Sequence, residues 1–315
     1  MKFFRVPNVR LLSSVGVVVA VSAVTLTSPA SAQDAKEAMA AFIDANATSY
    51  AAVAQEIWEL AEVGYMETES SEKLQGMLRS AGFEIASGVA GIPTAFVASY
   101  GGGGPVIGIM GEYDALPGIN QSRSAERDPI PGKIAGHACG HHLFGTGSVA
   151  AALAVKEWLD ETGAPGTIRV YGTPAEEGGA GKVYMVRAGL MDDVDVMLHW
   201  HAGSQNSASA SSSLANKSGK FRFYGQSAHA ASAPWRGRSA LDGVEAMHDM
   251  VNMMREHVTP ASRMHYVITS GGSAPNVIPD FAESYIYVRH PDPNEVRRMF
   301  DWVTRIAEGA AMGTE

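Results

Sequence analysis

Between residues 35 and 63, apolar side chains recur at helical spacing. Tyr50, Val53, Ala54, Ile57 and Ala61 stand at i, i+3, i+4, i+7 and i+11 and share one face. The spacing predicts a helix over 35–63, and a second over 70–80 that ends at the Ala81-Gly82 break. The period then changes. Residues 94–100 read as a strand closed by glycines 101–104, and PVIGIM at 105–110 is a continuous apolar run, as in a strand covered on both faces. Residues 118–136 mix Gly, Pro, Ser and Arg without periodicity and are predicted as loop. A helix over 143–160, a strand over 167–172, a short helix over 182–188 and a buried-type strand over 194–199 follow. Strands alternating with helices predict an α/β domain, with a mainly parallel sheet and helices on both faces.

The polar, small-residue stretch 203–219 (GSQNSASASSSLANKSG) breaks this pattern and reads as a linker, or in part as an edge strand. Beyond it come a strand over 220–225, a helix over 239–257, strands over 264–270 and 281–289, and a last helix. That helix is signalled by Asp292 as N-cap, Pro293 in the first turn and Glu295 completing a capping box. The order β-α-β-β-α is a ferredoxin-like α+β unit one strand short, so the sequence reads as C-terminally truncated. The expected division is a first domain over 33–214 and a second over 215–315.

The first residues carry a different signal. Lys2, Arg5 and Arg10 precede a mostly apolar run over 11–25 that is short for a bilayer, and Ala30-Ser31-Ala32 forms an A-x-A site. Residues 1–32 therefore read as a secretory signal peptide, with a periplasmic or secreted chain starting at Gln33; an uncleaved anchor is the alternative. Loss of three basic residues takes the formal net charge from −9 to −12 (−9 − 3). An acidic balance excludes sequence-independent nucleic-acid binding, which needs a basic surface. One cysteine in 315 residues excludes a disulfide framework within the chain. An unpaired thiol in an oxidising compartment then needs a reason to be there.

Polar clusters follow three of the expected strands: Glu112 and Asp114 after the first, Glu176-Glu177 after the second, His201 after the third. His137-Ala-Cys139-Gly-His141-His142 precedes the 143–160 helix. Sites in open α/β sheets form outside the carboxyl ends of strands, so four segments bring Cys, His, Asp and Glu to one sheet edge. Thiolate and imidazole suit zinc, and carboxylates also suit harder cations such as manganese. Of two adjacent glutamates, one can bind metal while its neighbour moves a proton. Gly178-Gly-Ala-Gly181-Lys182 has neither the P-loop spacing nor a Ser/Thr after the Lys, which leaves nucleotide binding unsupported.

EYDALPG, GHACGHHLFG, TPAEEGGAGK and LHWHAG together resemble the metallopeptidase-20 family. They are most similar to its amidohydrolase branch, which includes the aminobenzoyl-glutamate hydrolases and the plant-type hydrolases of auxin–amino-acid conjugates. The resemblance runs from about residue 35 to the end. It implies a site of two divalent metal ions (Zn²⁺ or Mn²⁺, with Co²⁺ also admitted) held by Cys139, His141, Glu177 and His201. Glu176 matches the general base, and Asp114 the Asp that supports a metal-bound His. Glu112 and His137 lie near enough to be accessory. His142 departs from the family, many members of which carry Asp there. The second domain resembles an inserted lid and dimerisation domain, which implies a homodimer. In it His229 matches the His that contacts the reacting carbonyl, Asn276 a substrate-holding Asn, and Arg289 an Arg for a substrate carboxylate. The implied reaction is hydrolysis of the amide bond of a small-molecule N-acyl amino acid such as an aminobenzoyl-glutamate-like conjugate. The alternatives are a metallo-carboxypeptidase or dipeptidase of the same family, or an inactive metal-binding remnant.

Overall fold

The computed structural model describes residues 32–208 and 210–315. The expected signal peptide thus lies outside the described residues, except for Ala32, which opens the first helix. Among the described residues no helix is long and apolar enough to cross a membrane. The chain divides into two compact units between Gln205 and Asn206, within the 203–219 stretch rather than at 214/215.

The first unit runs α1 (Ala32–Leu60), α2 (Thr68–Ser80), β1 (Glu84–Ser87), β2 (Phe96–Gly102), β3 (Val106–Gly111), β4 (Leu116–Pro117), β5 (Ala135–Gly136), α3 (His141–Thr162), β6 (Gly166–Gly172), α4 (Gly181–Arg187) and β7 (Val196–Leu198). Its sheet has the order β1-β2-β6-β3-β7. The expectation of a mainly parallel sheet is corrected: β3 pairs in parallel with β6 and β7, but β2 is antiparallel to both β1 and β6. The reason is the three-residue link 103–105 between β2 and β3. A parallel return needs a crossover of about a dozen residues, so a link this short must reverse the chain. β1 and the small β4–β5 pair are further elements that the hydrophobic pattern did not announce.

Helices do cover both faces. Ile57 of α1, Leu74 and Leu78 of α2 and Val149 of α3 pack with Phe96, Ala98, Ile168 and Val170. Met185 of α4 packs instead with Tyr171, which as the neighbour of Val170 points to the opposite side. α3 begins at His141, two residues before the expected start, because Gly140 turns the chain in with φ 89° and no polar side chain caps it. A Cβ on Gly145 would stand 2.8 Å from the Glu112 carbonyl oxygen, and one on Gly111 3.2 Å from the Gly145 Cα. The first turns of α3 therefore lie backbone to backbone against the end of β3.

The second unit runs β8 (Ala215–Tyr224), α5 (Ala240–Met254), β9 (Arg263–Ser270), β10 (Phe281–His290) and α6 (Pro293–Thr314). The sheet is antiparallel throughout, in the order β8-β10-β9, so part of the 203–219 stretch is an edge strand. Val244 and Met247 of α5 and Met299 and Val303 of α6 pack with Phe223, Ile286 and Val288. Asp292 caps α6 by accepting from the Asn294 N–H at 2.8 Å. The capping box does not close. Glu295 pairs with Arg298 at 2.7 Å, and the Asp292 N–H donates to His290 Nδ1 at 2.9 Å.

Buried His248 on α5 stacks on Tyr266 and bonds Ser284 Oγ through Nε2 at 2.7 Å. Burial lowers its pKa from the ordinary 6.5, with Asp249 opposing. The unfolded chain then binds this proton more readily than the fold, so stability falls as pH drops below about 6.5. Urea unfolding at pH 7.5 and 5.5 is expected to show this loss, reduced in His248→Gln; equal acid losses would assign it to other groups.

Candidate metal centre

The parallel strands β3, β6 and β7 open their carboxyl ends on one edge of the sheet. β3 leads into Glu112 and Asp114, β6 into Glu176 and Glu177, and β7 into His199 and His201, while the start of α3 supplies Cys139 and His141. His141 is fully buried, and Asp114 is 1% exposed. Nδ1 of His141 lies 2.9 Å from Asp114 Oδ1, and the Glu177 N–H donates to Asp114 Oδ2 at 2.9 Å. A carboxylate can only accept there, so the ring proton sits on Nδ1 and Nε2 presents a lone pair. That Nε2 is buried and has no hydrogen-bond partner.

Around it the candidate ligands converge. Cys139 Sγ lies 3.2 Å from His201 Nε2, and His141 Nε2 lies 3.8 Å from Glu177 Oε1 and 3.9 Å from Glu176 Oε2. Two sets, Cys139–His141–His201 and His141–Glu176–Glu177, each keep their ligand atoms within 4.8 Å of one another. Burial, then the charges of Glu177, Glu176 and Glu112, push the Cys139 thiol up to about 11. Burial chiefly raises the Glu177 carboxyl as well. Thiol, imidazoles and carboxylates crowded this way hold more negative character than they neutralise, and a divalent cation fits them.

Three contributors lay beyond the sequence reading. Glu67 is fully buried, its carboxylate accepting from the Ala175 N–H at 2.8 Å and from Thr94 Oγ1 at 3.0 Å. It thereby anchors Ala175, whose φ of 57° costs a non-glycine residue about 1–2 kcal/mol, just before the glutamate pair. Lys182 and His199 both bond Glu112 Oε1, the latter at 3.1 Å. Burial alone would raise the Glu112 carboxyl, but these partners bring it down to about 2. Nothing local marks Glu67. The i, i+2 spacing of His199 and His201, which puts alternate residues on one side of an extended chain, was a usable signal.

His137 is a structural residue here: its Nε2 bonds the Ile57 carbonyl at 3.1 Å, and burial lowers its pKa to about 4. The departing His142 rests 5.0 Å from the His137 ring and is likewise lowered to about 4, first by burial and then by His141. In the second unit His229 and Asn276 come together, since the Ala230 N–H donates to the Asn276 carbonyl at 3.0 Å. Nδ1 of His229 accepts from the N–H groups of Ala231 and Ser232, each at 3.2 Å, which leaves Nε2–H outward as a donor. Arg289 lies on β10 with its guanidinium 5.4 Å from the Tyr287 ring centre and its Nε buried without a partner.

The chain is 46% identical over 276 residues to one of the two subunits of p-aminobenzoyl-glutamate hydrolase of Escherichia coli (strain K12), covering 87% of this chain and 57% of that protein. It is 31% identical over 285 residues to the Xaa-Arg dipeptidase of Mus musculus, covering 86% and 62% respectively. It thus spans about three fifths of the length of these curated relatives. Its fold matches a Bacillus subtilis protein described as a dinuclear metal binding peptidase from the M20 family, with a TM-score of 0.58, 23% identity, and coverage of 86% of this chain and 72% of that one. The profile of peptidase family M20/M25/M40 matches residues 108–288, more than half of the 315. This chain belongs to that family.

Proposed function

We propose that the protein is a metal-dependent amidohydrolase that cleaves the amide bond of N-acyl amino acids, with aminobenzoyl-glutamate-like conjugates as substrates. The observation that carries this reading is the convergence of Cys139, His141, Glu176, Glu177 and His201 around a buried, unpartnered imidazole nitrogen. Likeness to a hydrolase named for aminobenzoyl-glutamate supports the substrate class.

Cys139, His141, Glu177 and His201 would hold two divalent ions, zinc, manganese or cobalt, as the dinuclear description of a structural neighbour also suggests. Such ions, when bound, polarise a carbonyl and make water acidic enough to attack near neutral pH. Glu176 is the more exposed of the glutamate pair, and its side chain is free to take the proton from the attacking water and return it to the leaving amine. Nε2–H of His229 donates to the developing oxyanion. Arg289 and Asn276 grip the carboxylate of the amino-acid part, Arg289 through a bidentate fork. The second unit, with the antiparallel α+β pattern of the ferredoxin-like class, acts as lid and dimerisation domain of a homodimer. The N-terminal segment directs the chain to the periplasm or outside.

The test is release of p-aminobenzoate from p-aminobenzoyl-glutamate by the chain loaded with Zn²⁺, Mn²⁺ or Co²⁺, beside a panel of Xaa-Arg dipeptides. Turnover of the aryl conjugate that chelator abolishes is expected. Faster cleavage of the dipeptides would turn the reading toward a dipeptidase, and no turnover of either by a metal-loaded chain would favour a metal-binding remnant.

A further inference from the structure

Glu112 is 2% exposed and stands at the end of β3 with its two carboxylate oxygens in unlike settings. Oε1 is taken by Lys182 and His199. Oε2 is buried without a hydrogen-bond partner, as is His141 Nε2, and the two lie 3.3 Å apart. Because Asp114 fixes the ring proton on Nδ1, these are two acceptors facing each other out of reach of water. Each buried acceptor left unpaired costs about 1–3 kcal/mol, and nothing among the described residues donates to either.

We propose that Glu112 Oε2 is a further ligand of the metal centre, bound to the same cation as His141 Nε2. The assignment rests on the metal reading above and adds to the Cys139, His141, Glu177 and His201 set. Oxygen and nitrogen ligands each about 2.1 Å from one cation stand roughly 3.0–3.4 Å apart at angles of about 90–110°. The 3.3 Å separation fits, and it is shorter than the 3.8 Å from His141 Nε2 to Glu177. Lys182 and His199 then have a definite task as positioning residues. They hold Oε1 and so aim Oε2, as the hydrogen-bonded outer partners of metal-binding carboxylates do.

The experiment strips the whole chain with chelator and reloads it with Co²⁺, comparing wild type with Glu112→Gln by calorimetric titration and visible absorption. Glutamine keeps an oxygen for Lys182 but removes the anionic ligand. The expected result is at least a tenfold weaker affinity for one Co²⁺ and an altered d–d band, with the circular dichroism of the metal-free protein unchanged. Matching affinity and spectrum would overturn the assignment of Glu112 alone. A wild-type chain that takes up no Co²⁺ would overturn the metal reading itself, and this assignment with it. Should the Gln variant fail to fold, Glu112→His replaces it: a shifted Co²⁺ band supports the assignment, and an unchanged one overturns it.

Discussion

Replacing Glu176 by Gln is expected to slow amide hydrolysis by about 10²–10⁴-fold while leaving metal content unchanged. The two effects separate because the adjacent glutamates sit in different surroundings. The Glu177 side chain is 18% exposed, its main chain is tied to Asp114, and its carboxylate takes a hydrogen bond from Cys139. The Glu176 side chain is 43% exposed and stays 3.9 Å from His141 Nε2. A Gln there keeps size and polarity but cannot carry a proton. Steady-state kinetics on p-aminobenzoyl-glutamate and elemental analysis of the same preparation make the check. Turnover retained at the wild-type rate would take the role of base away from Glu176.

Asp114→Asn is expected to weaken metal binding by about 10–100-fold. Asp114 serves two segments from one buried carboxylate, with Oδ1 at the His141 ring and Oδ2 at the Glu177 N–H. An amide can satisfy only one. Whichever way it turns, its NH₂ faces a donor, and an unsatisfied buried group costs about 1–3 kcal/mol. If the amide oxygen stays on the ring, the Glu177 main chain is released; if it flips, the ring tautomer is lost. Titration calorimetry with Zn²⁺ reads the affinity, and urea unfolding of the metal-free chain reads the cost to the fold. Wild-type affinity in a folded variant would show that neither segment depends on this carboxylate.

Much of the architecture was legible because it is local. The face Val296, Met299, Val303 and the Asp292 cap announced α6, and PVIGIM announced β3. What escaped depends on partners distant in sequence. No property of residues 94–110 says that β6, sixty residues on, inserts between β2 and β3 and so fixes the mixed sheet. Glu295 has the spacing of a capping box, but Arg298 one turn away offers a charge and takes it. In the centre itself, residue type and position at strand ends pointed to Cys139, His141, Glu177 and Asp114. Glu67 and Lys182 act only through groups about 70–110 positions away in the chain, and a single sequence has no means of displaying that pairing.

The contact between Gly111 and Gly145 bears on how such a centre persists while its surroundings drift. The strand end that carries Glu112 and Asp114 and the helix start that carries His141 touch through main-chain atoms, with no intervening side chain to swell or shrink. The gauge between them is therefore set by atomic radii shared by every polypeptide. Exchanges among Leu74, Val149 or Ile168 nearby can alter how firmly the domain holds together without resetting that gauge. Tolerance of the interior to mutation and constancy of the chemistry are in this way uncoupled by two missing methyl groups.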